Sequence, residues 1–245
     1  MKLEEIKINS DLGEGTGIEE YIMPYLSSCS IACGGHTGDK TSMTNTVLIA
    51  KKYGVKIGAH PSYPDKENFG RKKISISKLD LTISLTNQIN QLDKISKAQG
   101  MRIEHVKLHG ALYNFSAIDL ETASAVIELM KSKYPEIILY VPFGSLISKV
   151  ALENNIKIYY EVFLDRNYND DLSLVSRSKN NSMILDHKKM LDRLKNVIID
   201  SRILTVEGNY KKIIGDTFCV HGDSPKMSKI IKNLFIDIKK QNLEN

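Results

Sequence analysis

The chain has 245 residues, 42% of them apolar, and a formal net charge of +5. This length and apolar content are sufficient for one large α/β domain. We expect a single domain over residues 1–245, because no linker, low-complexity block or internal repeat divides the sequence.

The positive charge is dispersed rather than concentrated. Lysines occur in separated pairs, such as Lys188-Lys189 and Lys211-Lys212, with acidic residues between them. This pattern is typical of a solvated surface and argues against nucleic-acid binding, which usually needs a basic face or a stacking motif.

The sequence shows no export signal and no membrane-spanning segment. Acidic residues interrupt the amino terminus, and no stretch approaches about eighteen uncharged apolar residues. The cysteines Cys29, Cys33 and Cys219 lack zinc-type spacing and lie in apolar contexts, which predicts buried free thiols. We therefore expect a soluble, cytoplasmic protein.

Short β-rich runs alternate with segments of helical period along the chain. The predicted strands cover residues 6–9, 30–33, 55–58, 105–108, 137–141, 156–162 and 217–220. Between them, apolar stripes such as Leu81, Leu85, Ile89 and Leu92 predict helices that pack on a sheet. The last helix is predicted to begin at Ser224-Pro225, an N-cap followed by a first-turn proline.

This alternation indicates a parallel sheet covered on both faces, which is either open and doubly wound or closed into a barrel. An open sheet concentrates its ligand groups near one switch point. The candidate residues below follow at least five strands, so we predict a (β/α) barrel with seven strands.

Four of the six histidines lie in glycine-rich junctions, and at least three of these junctions follow an apolar run. They are His36, His60, His109 and His221. Scattered surface histidines would have charged or helical neighbours instead of turn-forming Gly, Pro and Asp. A neutral imidazole at a strand end binds a metal or moves a proton near neutral pH, and a histidine that merely caps a turn is an equal alternative for His36.

Carboxylates accompany these histidines. Asp11 and Glu14 lie in a glycine loop after the first predicted strand, where they suit metal binding or acid–base work, or else form an Asx-type turn with a solvated Glu14. The loop lacks the dinucleotide fingerprint. In the next junction Asp39 interrupts a Gly-Lys-Thr sequence, which argues against a phosphate-binding P-loop but predicts a helix start.

Lys107 precedes His109 by two positions, so in a strand both side chains share one face. Burying both without a role would be costly, which favours a functional pair. His105 and His187 are expected to be structural. Later, Glu161 is followed by Asp165 and Arg166, which form either a simple ion pair or part of a site.

Arginines are the natural anchors for a substrate carboxylate. Arg71 and Arg166 are the candidates, and Arg177 is a weaker one.

Taken in order, these segments resemble the LamB/YcsF family over nearly the whole chain. They are residues 9–15, 31–39, 58–65, 69–71, 107–113, 161–168 and 219–223. Each segment alone is weak evidence for the family, whereas the whole series in this order is specific to it. The chain departs from the usual family residues at Ser30, Gly35, Thr37, Lys72 and Leu108, but it keeps the ionisable residues of the series.

The resemblance implies a barrel of the glycoside hydrolase/deacetylase type. It also implies conversion of 5-oxo-L-proline to L-glutamate with ATP hydrolysis, together with separate subunits B and C. Because this chain has no recognisable nucleotide loop, we expect those partners to bind and use ATP. A metal-dependent deacetylase of an acetylated sugar, acting without ATP, and a non-catalytic scaffold are the competing interpretations.

On the 5-oxoprolinase interpretation, Asp11 or His60 is the general base, and Lys107 with His109 stabilises the developing anion. Arg71 or Arg166 holds the substrate carboxylate. The further substrate-binding candidates are Glu14, His36, Glu161, Asp165, His221 and Asp223. A divalent metal is left open, since Asp11, His36 and His60 resemble the Asp-His-His arrangement of deacetylases of this barrel type.

Overall fold

The computed structural model describes residues 6–222 and 225–243. Within these ranges the strands are Ile8–Leu12 (β1), Ser28–Ala32 (β2), Lys56–His60 (β3), Ile103–Lys107 (β4), Ile138–Pro142 (β5), Ile158–Phe163 (β6), Arg202–Leu204 (β7), Tyr210–Lys212 (β8) and Thr217–Cys219 (β9). The α-helices are Glu19–Ile22 (α1), Lys40–Tyr53 (α2), Lys78–Ala98 (α3), Gly110–Ser116 (α4), Leu120–Lys133 (α5), Leu146–Glu153 (α6), His187–Asp200 (α7) and Pro225–Leu243 (α8), and a 3-10 helix, Met23–Tyr25, follows α1.

Seven strands close into a barrel in the order β1-β2-β3-β4-β5-β6-β9. Strand β9 pairs in parallel with both β1 and β6, which completes the ring. The predicted seven-stranded (β/α) barrel is therefore confirmed. The carboxyl ends of all seven strands open at one end of the barrel, which is where barrels of this kind place their functional residues.

The seven predicted strands all correspond to barrel strands, but several of their limits were wrong. Strand β1 runs from Ile8 to Leu12 rather than over residues 6–9, so Asp11 lies inside the strand and not in the loop after it. The polar residues Asn9, Ser10 and Asp11 are buried there. They interrupt the apolar run on which the prediction relied, because part of this barrel interior is polar.

Beyond the barrel, β7 and β8 form a two-stranded antiparallel sheet that was not predicted. The strands have three residues each, and most of these side chains are exposed. Runs this short and solvated carry too little apolar periodicity to be recognised.

The helices follow the predicted patterns. In α3 the stripe of Leu81, Leu85, Ile89 and Leu92 is buried. Helix α2 begins where predicted, because Asp39 accepts from the Ser42 amide and Ser42 Oγ accepts from the Asp39 amide. Helix α8 begins at Pro225, whereas its proposed N-cap, Ser224, lies outside the described residues.

Two further expectations concern cysteines and membranes. Cys29, Cys33 and Cys219 are free and buried, as predicted. None of the helices in the described ranges combines the length and the apolar character that a bilayer crossing requires.

Inside the barrel, below the site, an aromatic layer forms around His105. Its Nε2 lies 3.0 Å from Ser30 Oγ, and its ring stacks on Tyr140 with centroids 4.1 Å apart. A Cβ atom on Gly58 would lie 2.3 Å from the same imidazole. His105 is thus a packing residue, as expected, and Gly58 provides the space for its ring.

We predict that Gly58→Ala lowers the free energy of unfolding by about 1–3 kcal/mol, because the added methyl group overpacks the barrel. Urea denaturation measures this. In a His105→Ala background the same substitution should cost clearly less, since the ring it strikes is gone. Equal costs in both backgrounds would show that the contact with His105 is not the cause.

Candidate active site

A cavity of about 770 Å³ opens at the carboxyl ends of the barrel strands. Its walls include Asp11 from β1, His60 from β3, Lys107 from β4 and Glu161 from β6. Residues of the following loops complete it, among them His109 after β4 and His221 after β9. Distant segments of the sequence therefore converge here, as predicted from the strand ends.

Lys107 lies at the floor of this cavity and is 1% exposed. Its Nζ is 2.9 Å from Asp11 Oδ1 and 2.8 Å from Glu161 Oε1. Burial alone would lower the pKa of Lys107, but the charges of Asp11 and Glu161 outweigh it and hold that pKa well above its usual value. This raised pKa keeps the lysine in its ammonium form at neutral pH, between the carboxyl groups of Asp11 and Glu161.

The two carboxylates respond differently to this environment. Burial raises the pKa of Glu161, and Lys107 offsets only part of that effect. Burial alone would also raise the pKa of Asp11, but the adjacent His60 and the Lys107 ammonium outweigh it, so the pKa of Asp11 lies below its usual range. Asp11 is therefore the firmly ionised partner.

Cys219 is a site residue that the sequence analysis did not identify. Its Sγ lies 3.2 Å from Lys107 Nζ, although it is a buried free thiol as expected. Burial raises the pKa of this thiol well above its usual value, which keeps it protonated. Residues two apart along a strand point to the same side, so Cys219, two residues before His221, carried a signal for this position.

On one side of the cavity, Glu14 and three histidines form a compact group. Glu14 Oε1 is 3.1 Å from His36 Nε2 and 3.5 Å from His109 Nδ1. His60 Nε2 is 3.0 Å from His109 Nδ1. Burial lowers the pKa of His36 and of His109 to about 4 and that of His60 well below its usual value, so the three imidazoles are neutral at pH 7.

The orientation of His109 is fixed by a strained backbone segment at Phe69, a contact that the sequence did not predict. His109 Nε2 donates to the carbonyl of Phe69 at 3.0 Å, and Phe69 has a φ of 55°, in the left-handed region. A Cβ atom on Gly110 would lie 2.6 Å from the Gly70 carbonyl oxygen. Glycine at that position lets the two loops approach closely enough for this contact.

On the opposite side, His221 and Asp165 form a buried pair. His221 Nδ1 and the His221 amide both donate to Asp165 Oδ2, at 2.9 and 2.8 Å. Burial alone would lower the pKa of His221, but the Asp165 carboxylate outweighs it and raises that pKa. Asp165 does not line the cavity itself and acts by holding His221.

The candidate arginines occupy different environments. Arg166 is buried at the cavity wall and donates to the carbonyls of Val175 and Ser182, so it also fixes the loop that covers the cavity. Arg71 is exposed at the rim, with its guanidinium carbon 4.9 Å from the Phe69 ring centroid. Arg177 is exposed and lines the cavity as well.

The structure thus brings most of the predicted site residues together. Those that line the cavity are Asp11, Glu14, His60, Arg71, Lys107, His109, Glu161, Arg166 and His221. His36 lies behind His109, with the two rings stacked at 3.6 Å. Asp223 lies outside the described residues.

The proposed metal-binding set is only partly assembled. His36 and His60 group with Glu14 and His109 rather than with Asp11. Asp11 pairs with Lys107, and its Oδ2 is 3.4 Å from His60 Nε2.

Comparison with known proteins agrees with this architecture. A protein from Clostridium beijerinckii, named as the A subunit of 5-oxoprolinase, is 37% identical over 245 residues, which cover 98% of this chain and 96% of that protein. The protein of the same name from Pyrococcus abyssi is 38% identical, with coverage of 94% and 92%.

A solved structure described as a lactam utilization protein, from Thermus thermophilus, is similar with a TM-score of 0.87 and 30% identity, and the match covers 98% of each chain. The sequence pattern of the LamB/YcsF family matches residues 6–245. The chain therefore belongs to the LamB/YcsF family, as its ordered motifs predicted.

Proposed function

We propose that this chain is the A subunit of a cytoplasmic, ATP-dependent 5-oxoprolinase that converts 5-oxo-L-proline to L-glutamate together with subunits B and C. The names of the relatives support a hydrolase of this family. The observation that carries the proposal is the cavity floor, where Lys107 is held as a cation beside two carboxylates. A group of this kind can stabilise negative charge that develops on a substrate oxygen.

The chemistry of the substrate explains the need for ATP. A five-membered lactam is an unactivated amide whose closed form is favoured over glutamate, so ring opening needs an input of free energy. Phosphorylation of the carbonyl oxygen would supply it. Asp39 interrupts the nearest approach to a P-loop in this sequence, which supports assigning the use of ATP to subunits B and C.

In this chain, water then adds to the activated ring carbon. Asp11 or His60 takes a proton from the water, the water oxygen bonds to the carbon, and the ring C–N bond breaks as the nitrogen takes up a proton. A second water then displaces phosphate from the carbon of the opened product, which gives L-glutamate. Lys107 stabilises the anion formed during addition, and His109 does so when its Nδ1 is protonated.

The remaining polar residues of the cavity would bind the substrate. Arg71 at the rim or Arg166 at the wall would pair with the substrate carboxylate, a role that suits the planar guanidinium. His221, whose pKa the Asp165 carboxylate raises, would add positive charge on the opposite side of the cavity from the neutral imidazoles. The supporting positions are Glu14, His36, Glu161, Asp165 and Asp223.

The direct test is release of glutamate from 5-oxo-L-proline and ATP by subunits B and C of the same organism, with and without this chain. We expect glutamate only when all components are present. If folded partners give the same result without the chain, the proposal is wrong. An ATP-independent deacetylase activity on acetylated sugars is then the next assay.

We predict that His109→Ala lowers the rate of glutamate formation by on the order of 100-fold or more, because an anion-stabilising group is lost from the cavity. His187→Ala is the matched control, since His187 pairs with Asp237 away from the cavity. Circular dichroism should show an intact fold for both. An unchanged rate for His109→Ala removes this residue from the mechanism.

We predict that Asp165→Asn shifts the alkaline limit of kcat/KM for 5-oxo-L-proline to lower pH. His221 has a raised pKa because of Asp165, so its charge is present below that pKa and is lost as pH rises through it. Without the Asp165 carboxylate the pKa of His221 is lower, so His221 loses its positive charge at lower pH. The measurement is a pH–rate profile of the reconstituted complex, and a profile identical to the wild type contradicts the assigned role.

A further inference from the structure

Three lone-pair atoms face one another on one side of the cavity. His60 Nε2 and His109 Nδ1 are 3.0 Å apart, and Glu14 Oε1 lies 3.8 Å from the first and 3.5 Å from the second. Both histidines are buried, and the Glu14 side chain is 11% exposed. Nothing in this triangle is an obligate hydrogen-bond donor.

The positions of the ring hydrogens follow from the outer contacts of the two histidines. His60 Nδ1 lies 2.8 Å from the Lys107 carbonyl oxygen, and His109 Nε2 lies 3.0 Å from the Phe69 carbonyl oxygen. A carbonyl oxygen can only accept, so each of these nitrogens carries the N–H. The inner nitrogens of the neutral rings are then bare, and two lone pairs oppose each other at 3.0 Å.

A cation placed among the three atoms would relieve this opposition. A zinc-class ion forms bonds of about 2.0–2.2 Å to nitrogen and oxygen, which keeps three tetrahedral donors about 3.3–3.6 Å apart. The observed edges of 3.0, 3.5 and 3.8 Å lie close to that spacing. Metal-ligating histidines usually donate their other N–H to a carbonyl or carboxylate, as both rings do here.

His36 has a different place in this group. Its ring is parallel to that of His109, with an interplanar angle of 4° and centroids 3.6 Å apart. The in-plane lone pairs of two stacked rings cannot converge on one ion. His36 Nε2 instead donates to Glu14 Oε1 at 3.1 Å, which orients the carboxylate.

We propose that Glu14, His60 and His109 bind one divalent cation of the zinc class, with the fourth position open to the cavity. Two histidines, one carboxylate and an open position form a donor set suited to zinc catalysis. The set differs from Asp11, His36 and His60, the residues suggested by the sequence alone.

The role of the ion in ring opening rests on the proposed function, whereas its binding does not. If the reaction is the proposed one, His60 is a ligand and Asp11 is the base. A bound ion would supply a water of lowered pKa, and Asp11 would take the proton from that water as its oxygen bonds to the ring carbon.

The test is metal binding by the full-length chain after treatment with a chelator. We expect calorimetric titration with Zn²⁺ to give one ion per chain, and Co²⁺ to give the visible absorption of a four- or five-coordinate site. Glu14→Gln and His109→Ala should weaken binding by on the order of 100-fold, and His36→Phe, which keeps the stacked ring, by about tenfold. His187→Ala should bind as the wild type does.

Glu14→Gln is nearly isosteric and partly exposed, which makes it the variant that best preserves the fold. A wild-type chain that binds neither Zn²⁺ nor Co²⁺ overturns the proposal, as does equal binding by folded Glu14→Gln. Failure of the proposed function has a separate signature, because the ion would bind while the reconstituted complex releases no glutamate.

Discussion

A buried lysine cation holds the centre of this barrel, and the arrangement of the site depends on it. An ammonium removed from water costs several kcal/mol unless charged partners replace the lost hydration. Lys107 has those partners in Asp11 and Glu161, with Cys219 as a third contact. These residues belong to β1, β4, β6 and β9, so the charges connect strands across the barrel rather than along one edge.

The cavity has two chemically different sides, with Lys107 between them. Next to β3 and β4 the imidazoles are neutral and gather around Glu14. Next to β6 and β9 the Asp165 carboxylate raises the pKa of His221. Environments that drive the pKa values of like groups apart are a common basis for dividing acid and base roles. Lys107 lies between the two sides and is available to both.

The sequence was informative where the signal is local. Apolar runs bounded by turn residues located all seven barrel strands, and the ordered motifs identified the family. The predicted limits of β1 were wrong, because Asn9 and Asp11 face a polar part of the barrel interior and so interrupt the apolar run. The hydrogen bond that orients His109 could not be predicted. Its acceptor, the Phe69 carbonyl, lies 40 residues away in the sequence and reaches the ring only because two loops pack closely. Likewise, the distances within a donor set depend on the tertiary structure, so the proposed set exchanges Asp11 and His36 for Glu14 and His109 only once the fold is known.

The central claim is that Lys107 remains a cation in the barrel interior, and its protonation state tests this directly. Lysine-selective ¹³C and ¹⁵N nuclear magnetic resonance can follow the ammonium group from about pH 6 to about pH 10, where an ordinary lysine begins to titrate. The account predicts one buried lysine signal that stays in the ammonium form throughout. Deprotonation of that lysine within this range would contradict the account, because the buried carboxylates would then lack their counter-charge.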